Sequence, residues 1–359
     1  MTTDCGQLPR GMGKTLKASD DTLYALDFSF WKRPYVRMFF QGKDIRFVSR
    51  IDEVPAGSEL VIWGMRDAGM AVPESMRILR IEDGFVRSVG LGADLIRPVS
   101  WVVDDLGIYY DATKPSRLEC ILEEGVFGED MQQRAIALRE KIVASGLTKY
   151  NVGNDSWERP RNGRRVILVP GQVETDASIA YGAPEAVCAV RRNMDLLRAV
   201  RQANPDAYLV YKPHPDVLAG LRVEGRGEDA ALQWCDEQVT DVAMGELLDR
   251  VDEVHVITSL AGFEALLRGK RVTCYGQPFY ASWGLTTDVV PVARRTRRRS
   301  LDELVAAALI AYPRYVGLKT NQPTTPERAL EDLLAWRNEG VSLPFWRKLL
   351  RVFLRRYKR

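Results

Sequence analysis

Short apolar runs, each closed by Gly, Pro, Asp or Asn, fall into two blocks along this chain. In the first, Asp44–Ser49 (DIRFVS), Glu59–Gly64 (ELVIWG), Arg77–Glu82 (RILRIE) and Trp101–Asp105 (WVVDD) read as strands separated by turn or helical material. Leu118 to Gly146 carries a helical pattern, and the polar stretch Asn151–Arg165 (NVGNDSWERPRNGRR) reads as a linker. The second block alternates more regularly. Strands Arg165–Pro170, Ala207–Lys212, Glu253–Thr258 and Arg271–Tyr275 are interleaved with helices around Pro184–Ala203, Ala243–Asp249 and Leu260–Leu267. Such alternation predicts a parallel sheet covered by helices on both faces, with ligands outside the carboxyl ends of the strands. The expected α/β organisation is an N-terminal Rossmann-like domain over 20–150, a linker at 151–165 and a C-terminal Rossmann-like domain over 166–300. Helices at 301–341 and a tail at 342–359 follow.

The tail changes the pattern. On a helical wheel Phe345, Trp346, Leu349, Leu350, Val352, Phe353, Leu354 and Tyr357 occupy one arc. Arg347, Lys348, Arg351, Arg355, Lys358 and Arg359 occupy the other, and only Arg356 intrudes. A basic amphipathic helix of this kind reads as an anchor on an anionic membrane surface, with packing onto the body or a partner as the rival reading. The formal charge of +3 is therefore an average: setting aside the seven Lys/Arg of Ser342–Arg359 leaves a body at −4. That excludes a protein coating a nucleic acid duplex. A second basic run, Arg294, Arg295, Arg297, Arg298 and Arg299, reads either as a solvated loop or as a contact to acceptor phosphate or membrane. The five cysteines are scattered and never form CxxC, which suits a reducing cytoplasm, and the polar Met1–Asp20 lacks the apolar core of a signal peptide.

Candidate chemistry gathers after the strands. Glu82-Asp83-Gly84, with Arg87 beyond, follows one; Gln172, Glu174 and Asp176 follow another; Lys212 and His214 a third; Thr258 and Ser259 open the Leu260 helix, which carries Glu264. Carboxylates for acid–base or nucleophilic work, cations, and helix amides for a phosphate suit transfer from a phosphorylated donor. Each has a plainer alternative. Asp-Gly marks turns, Glu174 and Asp176 are good helix caps, and Thr258-Ser259 are good N-caps. His255, inside an apolar strand, reads as a core histidine. Asp104-Asp105 ends a strand and could cap the Gly107 turn, and no DxD or HExxH pattern calls for a metal. Phe279, Tyr280 and Trp283 suit either the cleft or a domain seam.

Together, Glu82–Leu95 (EDGFVRSVGLGADL), Val103–Pro115 (VDDLGIYYDATKP), Val169–Ile179 (VPGQVETDASI), Val210–Leu221 (VYKPHPDVLAGL), Ser259–Arg268 (SLAGFEALLR) and Cys274–Thr286 (CYGQPFYASWGLT) resemble the capsule polysaccharide biosynthesis proteins of the KpsC type. The match is to one module, most like the C-terminal half of a family usually built from two. The resemblance implies a GT-B-like fold, with 20–150 as the acceptor side and 166–300 as the nucleotide-sugar side. It also implies retaining transfer of Kdo from CMP-β-Kdo to a lipid-linked glycan, with no cofactor and beside capsule assembly proteins; the alternatives are a transferase using another CMP-activated nonulosonic acid or nucleotide sugar, or a non-catalytic glycan-binding or scaffold module. The basic tail places the protein on the cytoplasmic face of the inner membrane. Asp176 would be the nucleophile, with Glu174 as competitor, and Glu82 the acid and then base, with Asp83 as competitor. Lys212, His214, Thr258, Ser259, Glu264, Gln172 and Arg87 would contact donor or acceptor.

Overall fold

The structure, a computed structural model, describes residues 22–67, 70–86, 97–148, 156–218 and 227–339. The chain begins with β1 (Thr22–Leu26), β2 (Asp44–Val48), β3 (Glu59–Trp63), β4 (Arg77–Asp83) and β5 (Ser100–Asp104). β1, β2, β3 and β4 run parallel, and β5 turns back antiparallel against β4. A second sheet follows from β6 (Val166–Pro170), β7 (Tyr208–Lys212), β8 (Glu237–Gln238), β9 (Glu253–Val256), β10 (Arg271–Cys274) and β11 (Thr287–Asp288). Its order is β11-β10-β9-β6-β7-β8, parallel throughout. The interior strands β6 and β9 are buried along their whole length, as a sheet covered on both faces requires.

The end of the chain then returns. β12 (Pro313–Val316) pairs antiparallel with β5, and β13 (Pro323–Thr324) pairs with β12, giving the first sheet the order β13-β12-β5-β4-β3-β1-β2. The segment 301–341, expected as helices alone, thus also supplies two strands, of which β13 forms the sheet edge. Its helices are Leu301–Val305, continued by a π-helical stretch Ala306–Ala311, and Pro326–Asn338. The long helix expected from Leu118 to Gly146 is two, Arg117–Glu124 and Glu129–Ala144. Gly125 sits at the break, where a Cβ would lie 2.3 Å from the Ile121 carbonyl oxygen. The helix expected at Pro184–Ala203 begins only at Asn193, and a separate short helix spans Ala177–Gly182.

One hydrophobic cluster joins the two sheets beneath the space between them, from Phe85, Val102 and Leu118 on one side to Leu168, Val254 and Phe263 on the other. Its aromatic centre packs Phe85 against Phe279 (4.5 Å) and Tyr109 (4.8 Å). Tyr280 and Trp283 are fully buried in this seam, while Phe279 both packs it and lines the cleft. Arg294, Arg295 and Arg299 of the arginine run strap the same seam, while Arg297 and Arg298 stay exposed. Arg294 and the buried Arg295 both bond Glu119, Arg295 also donates to the Pro278 and Ala281 carbonyls, and Arg299 reaches the Leu122 and Gly125 carbonyls. Burial holds the Arg295 guanidinium below its usual pKa, opposed by Glu119. The later part of the expected linker is pinned to the second sheet: the Trp157 indole donates to Glu237, and Arg159 pairs with Asp252. Residues 149–155 lie outside the described residues, as does the amphipathic tail.

Candidate active site

In the second sheet the chain order reverses between β6 and β9, and ligands of open parallel sheets bind at such reversals. The residues leaving these two strands meet there. The Gln172 side chain donates Nε2–H to Thr258 Oγ1 (3.1 Å) and accepts the Thr258 N–H (2.9 Å). Its own backbone exchanges two bonds of 2.9 Å with the buried Asn193 side chain. Asn193 N–H in turn donates to Glu174 (2.9 Å). Glu174 is thereby committed to the start of the Asn193–Ala203 helix. Asp176 instead caps the Ala177–Gly182 helix at the cleft, accepting from Ala177 N (2.8 Å) and Ser178 Oγ (3.2 Å).

Lys212 and His214 leave β7 on the same side. Lys212 is buried and donates Nζ–H to the Thr240 carbonyl (3.1 Å), and burial pulls its pKa below the ordinary lysine value. His214 Nδ1 accepts the Asp216 N–H (3.1 Å), so the neutral ring carries its proton on Nε2. Ser259 caps the Leu260–Leu267 helix through Ala261 N (3.2 Å), and Tyr280 donates to the Ser259 carbonyl. Glu264 is buried on that helix.

The first sheet faces this edge with Glu82 and Asp83, the last residues of β4. Tyr109 and Tyr110 stand beside them. Both phenols are pushed up by burial, with Glu82 and Asp176 adding to the effect, so they remain protonated donors between carboxylates of opposite sheets. Gly64, at φ +55°, makes room: a Cβ there would lie 2.6 Å from Tyr110 Oη and 3.4 Å from Glu82 Oε2. Below, the buried Arg80 pairs with Asp67 through both nitrogens and donates to the Gly64 carbonyl (3.1 Å), fixing that turn.

A single cavity of about 220 Å³ is lined by Glu82, Asp83, Gln172, Asp176, Lys212, His214, Thr258, Ser259 and Glu264. Arg87 lies outside the described residues. Two expectations change in detail. Glu174 does not line the cavity, and the Gln172–Thr258 pair ties two strand ends together, with its polar groups turned on each other. Asp104 is a cap, accepting from Leu106 N, Gly107 N, Arg117 N and Tyr312 Oη, and Asp105 pairs with Arg117. His255 is a core histidine beside Glu253 (3.4 Å), its pKa lowered by burial. Sequence reasoning missed Tyr109, Tyr110 and Thr240 as lining residues. The Tyr-Tyr pair directly after the capped Gly107 turn is the signal that could have marked the first two.

Comparison with known proteins gives this arrangement a context. Residues 60–151 and 131–315 match the family described as capsule polysaccharide biosynthesis protein. The capsule polysaccharide modification protein LipA of Neisseria meningitidis is 44% identical over 338 residues, 90% of this chain and 47% of the relative. The lipopolysaccharide-processing protein LpsZ of Rhizobium meliloti is 45% identical over 79% of this chain and 67% of its own length. The chain thus spans about half the length of LipA. Two solved structures of Thermosulfurimonas dismutans KpsC superpose at a TM-score of 0.75. The β-Kdo 2,7 transferase is 40% identical, covering 89% of this chain and all of that one, and the β-Kdo 2,4 transferase is 30% identical, covering 88% and 99%. The two-sheet architecture is their GT-B-like fold.

Proposed function

Since the chain belongs to the capsule polysaccharide biosynthesis protein family, we propose that it is a glycosyltransferase moving Kdo from CMP-β-Kdo to a lipid-linked glycan acceptor, with retention of configuration. The observation that carries this reading is the meeting of carboxylates from opposite sheets, Glu82 and Asp176, in one cleft that also holds a buried lysine and an oriented histidine. Asp176 attacks the anomeric carbon of Kdo as the bond to the CMP phosphate breaks, forming a glycosyl ester. Lys212, His214 and the amides at Ser259 meet the charge developing on that single phosphate. Glu82 assists departure as acid. It then takes the proton of the acceptor hydroxyl as that oxygen attacks the same carbon and expels Asp176. Two inversions give net retention. Tyr109 and Tyr110, held protonated, donate toward the carboxylates and toward the Kdo carboxylate.

The higher identity to the 2,7 transferase, at equal TM-score, favours a 2→7 linkage. The basic tail holds the protein at the inner leaflet, on the cytoplasmic face, where a lipid-linked acceptor is found and capsule assembly proteins are at hand. No described helix is long and apolar enough to cross a membrane.

A donor-hydrolysis assay with CMP-Kdo and CMP-sialic acid, followed by intact-protein mass spectrometry, tests the reading. CMP release from CMP-Kdo and a Kdo adduct on Asp176 are expected. Release from CMP-sialic acid alone would move the donor class, and release from neither would remove the enzyme reading.

A further inference from the structure

The first sheet has its own reversal of chain order, between β1 and β3, so its ligand crevice lies between the segments leaving those strands. Lys32 sits there with Nζ 2.9 Å from the centre of the Trp63 ring. Trp63 precedes Gly64, which abuts Tyr110 and Glu82. Ala25, Val61 and Leu79 are level across β1, β3 and β4. β1 therefore lies two strand spacings, about 10 Å, from β4, which ends in the proposed acid–base carboxylate Glu82.

Outward from Lys32 the surface is a ladder of rings and cations. The Arg33 guanidinium stacks between Phe30 (4.5 Å) and Phe47 (5.0 Å), and Arg37 stacks on Phe47 (4.8 Å). Arg33 is also fixed by donating Nε–H to the Phe28 carbonyl (3.0 Å). Phe30 is 84% exposed. Among the described residues Arg33 and Arg37 form no ion pair, whereas neighbouring Arg46 and Lys43 face Asp44 and Glu59. Stacking sets the plane of a guanidinium while leaving its N–H edge to take a carboxylate bidentately. The open Phe30 ring offers a flat apolar face to a sugar.

We propose that Trp63, Lys32, Phe30, Arg33, Phe47 and Arg37 form an acceptor track for an acidic oligosaccharide, carrying the carboxylate-bearing sugars behind the one that receives the new residue. This rests on the transferase reading and deepens it. The test uses the full chain, an Arg33→Ala/Arg37→Ala variant and a Phe30→Ala variant, a Kdo oligosaccharide of about four residues, its carboxyl-reduced form and a single-Kdo acceptor. The ratio of kcat/KM for the long acceptor over the short one is expected to fall about tenfold in the double variant, through KM. Donor-free binding of the long oligosaccharide by calorimetry is expected to weaken equally, and wild type is expected to bind the reduced form as weakly as the variant binds the acid form. An unchanged ratio with unchanged binding overturns the track while leaving the reaction standing. A wild type that transfers nothing yet binds the oligosaccharide through these arginines overturns the reaction and keeps the track. Loss of binding to phosphatidylglycerol vesicles, with oligosaccharide binding intact, overturns the track in favour of a membrane surface.

Discussion

The two strand-end edges that face each other across the cleft are built in opposite ways. On the second sheet the polar groups are tied to one another before any ligand arrives: Glu174 to Asn193, Asn193 to Gln172, Gln172 to Thr258. Lys212 is buried and Asp176 is held from two sides. On the first sheet the turn carrying Gly64 is fixed from beneath by Arg80 and Asp67, but the outer rim presents exposed rings and stacked guanidinium groups. A rigid edge suits a small donor whose reacting carbon must be placed to a fraction of an ångström. An open, cationic rim suits a long, varied chain.

The sharpest way to break this contrast is Asp176→Asn, which keeps the cap geometry and removes the proposed nucleophile. Transfer should fall by at least about 10³ while CMP binding persists; near-normal turnover would remove Asp176 from the chemistry. Next, Glu119→Ala leaves the buried Arg295 without its carboxylate and should cost about 3–5 kcal/mol in denaturant unfolding. If the strap is what couples the halves, fluorescence and circular dichroism transitions separate. Asn193→Ala strips both backbone partners from Gln172 and should lower kcat about tenfold to a hundredfold. Asn193→Asp, which can still accept from Gln172 N but not donate, should fall between, and a merely structural role would show equal thermal loss without that ranking. The smallest effect is on pH. Because burial lowers the Lys212 pKa, the cation is lost at lower pH than an exposed lysine, so donor kcat/KM should decline early on the alkaline side. Lys212→Arg should move that limb to higher pH; an unmoved limb assigns it to another group.

What could be read in advance follows the range of the forces involved. β6, β7 and β9 were legible because strands buried on both faces are dominated by apolar residues, and the polar residues at their ends stand out against them. Glu82, Asp176, Lys212 and His214 could therefore be named before any geometry. β1, β12 and β13 were not seen: TLYAL follows a polar segment, and the short PRYV and PT strands exist because β5 offers an edge more than 200 residues earlier. The longer helix between β6 and β7 starts at Asn193, where Glu174 accepts its N–H, a contact across 19 residues that no local pattern reports. The seam contacts of Arg294 and Arg295 were not legible because Glu119 lies 175 residues before Arg294.

The return of the chain to its first sheet has a consequence for recombination. A hybrid transferase made by joining the first half of one relative to the second half of another, at a single junction near residue 160, would put foreign β12 and β13 strands against the resident β5. It would also separate Asp104 from the Tyr312 whose hydroxyl donates to it. Exchanging donor preference between relatives therefore calls for two crossovers, the second before Pro313, with the resident chain resuming for its last strands and helix.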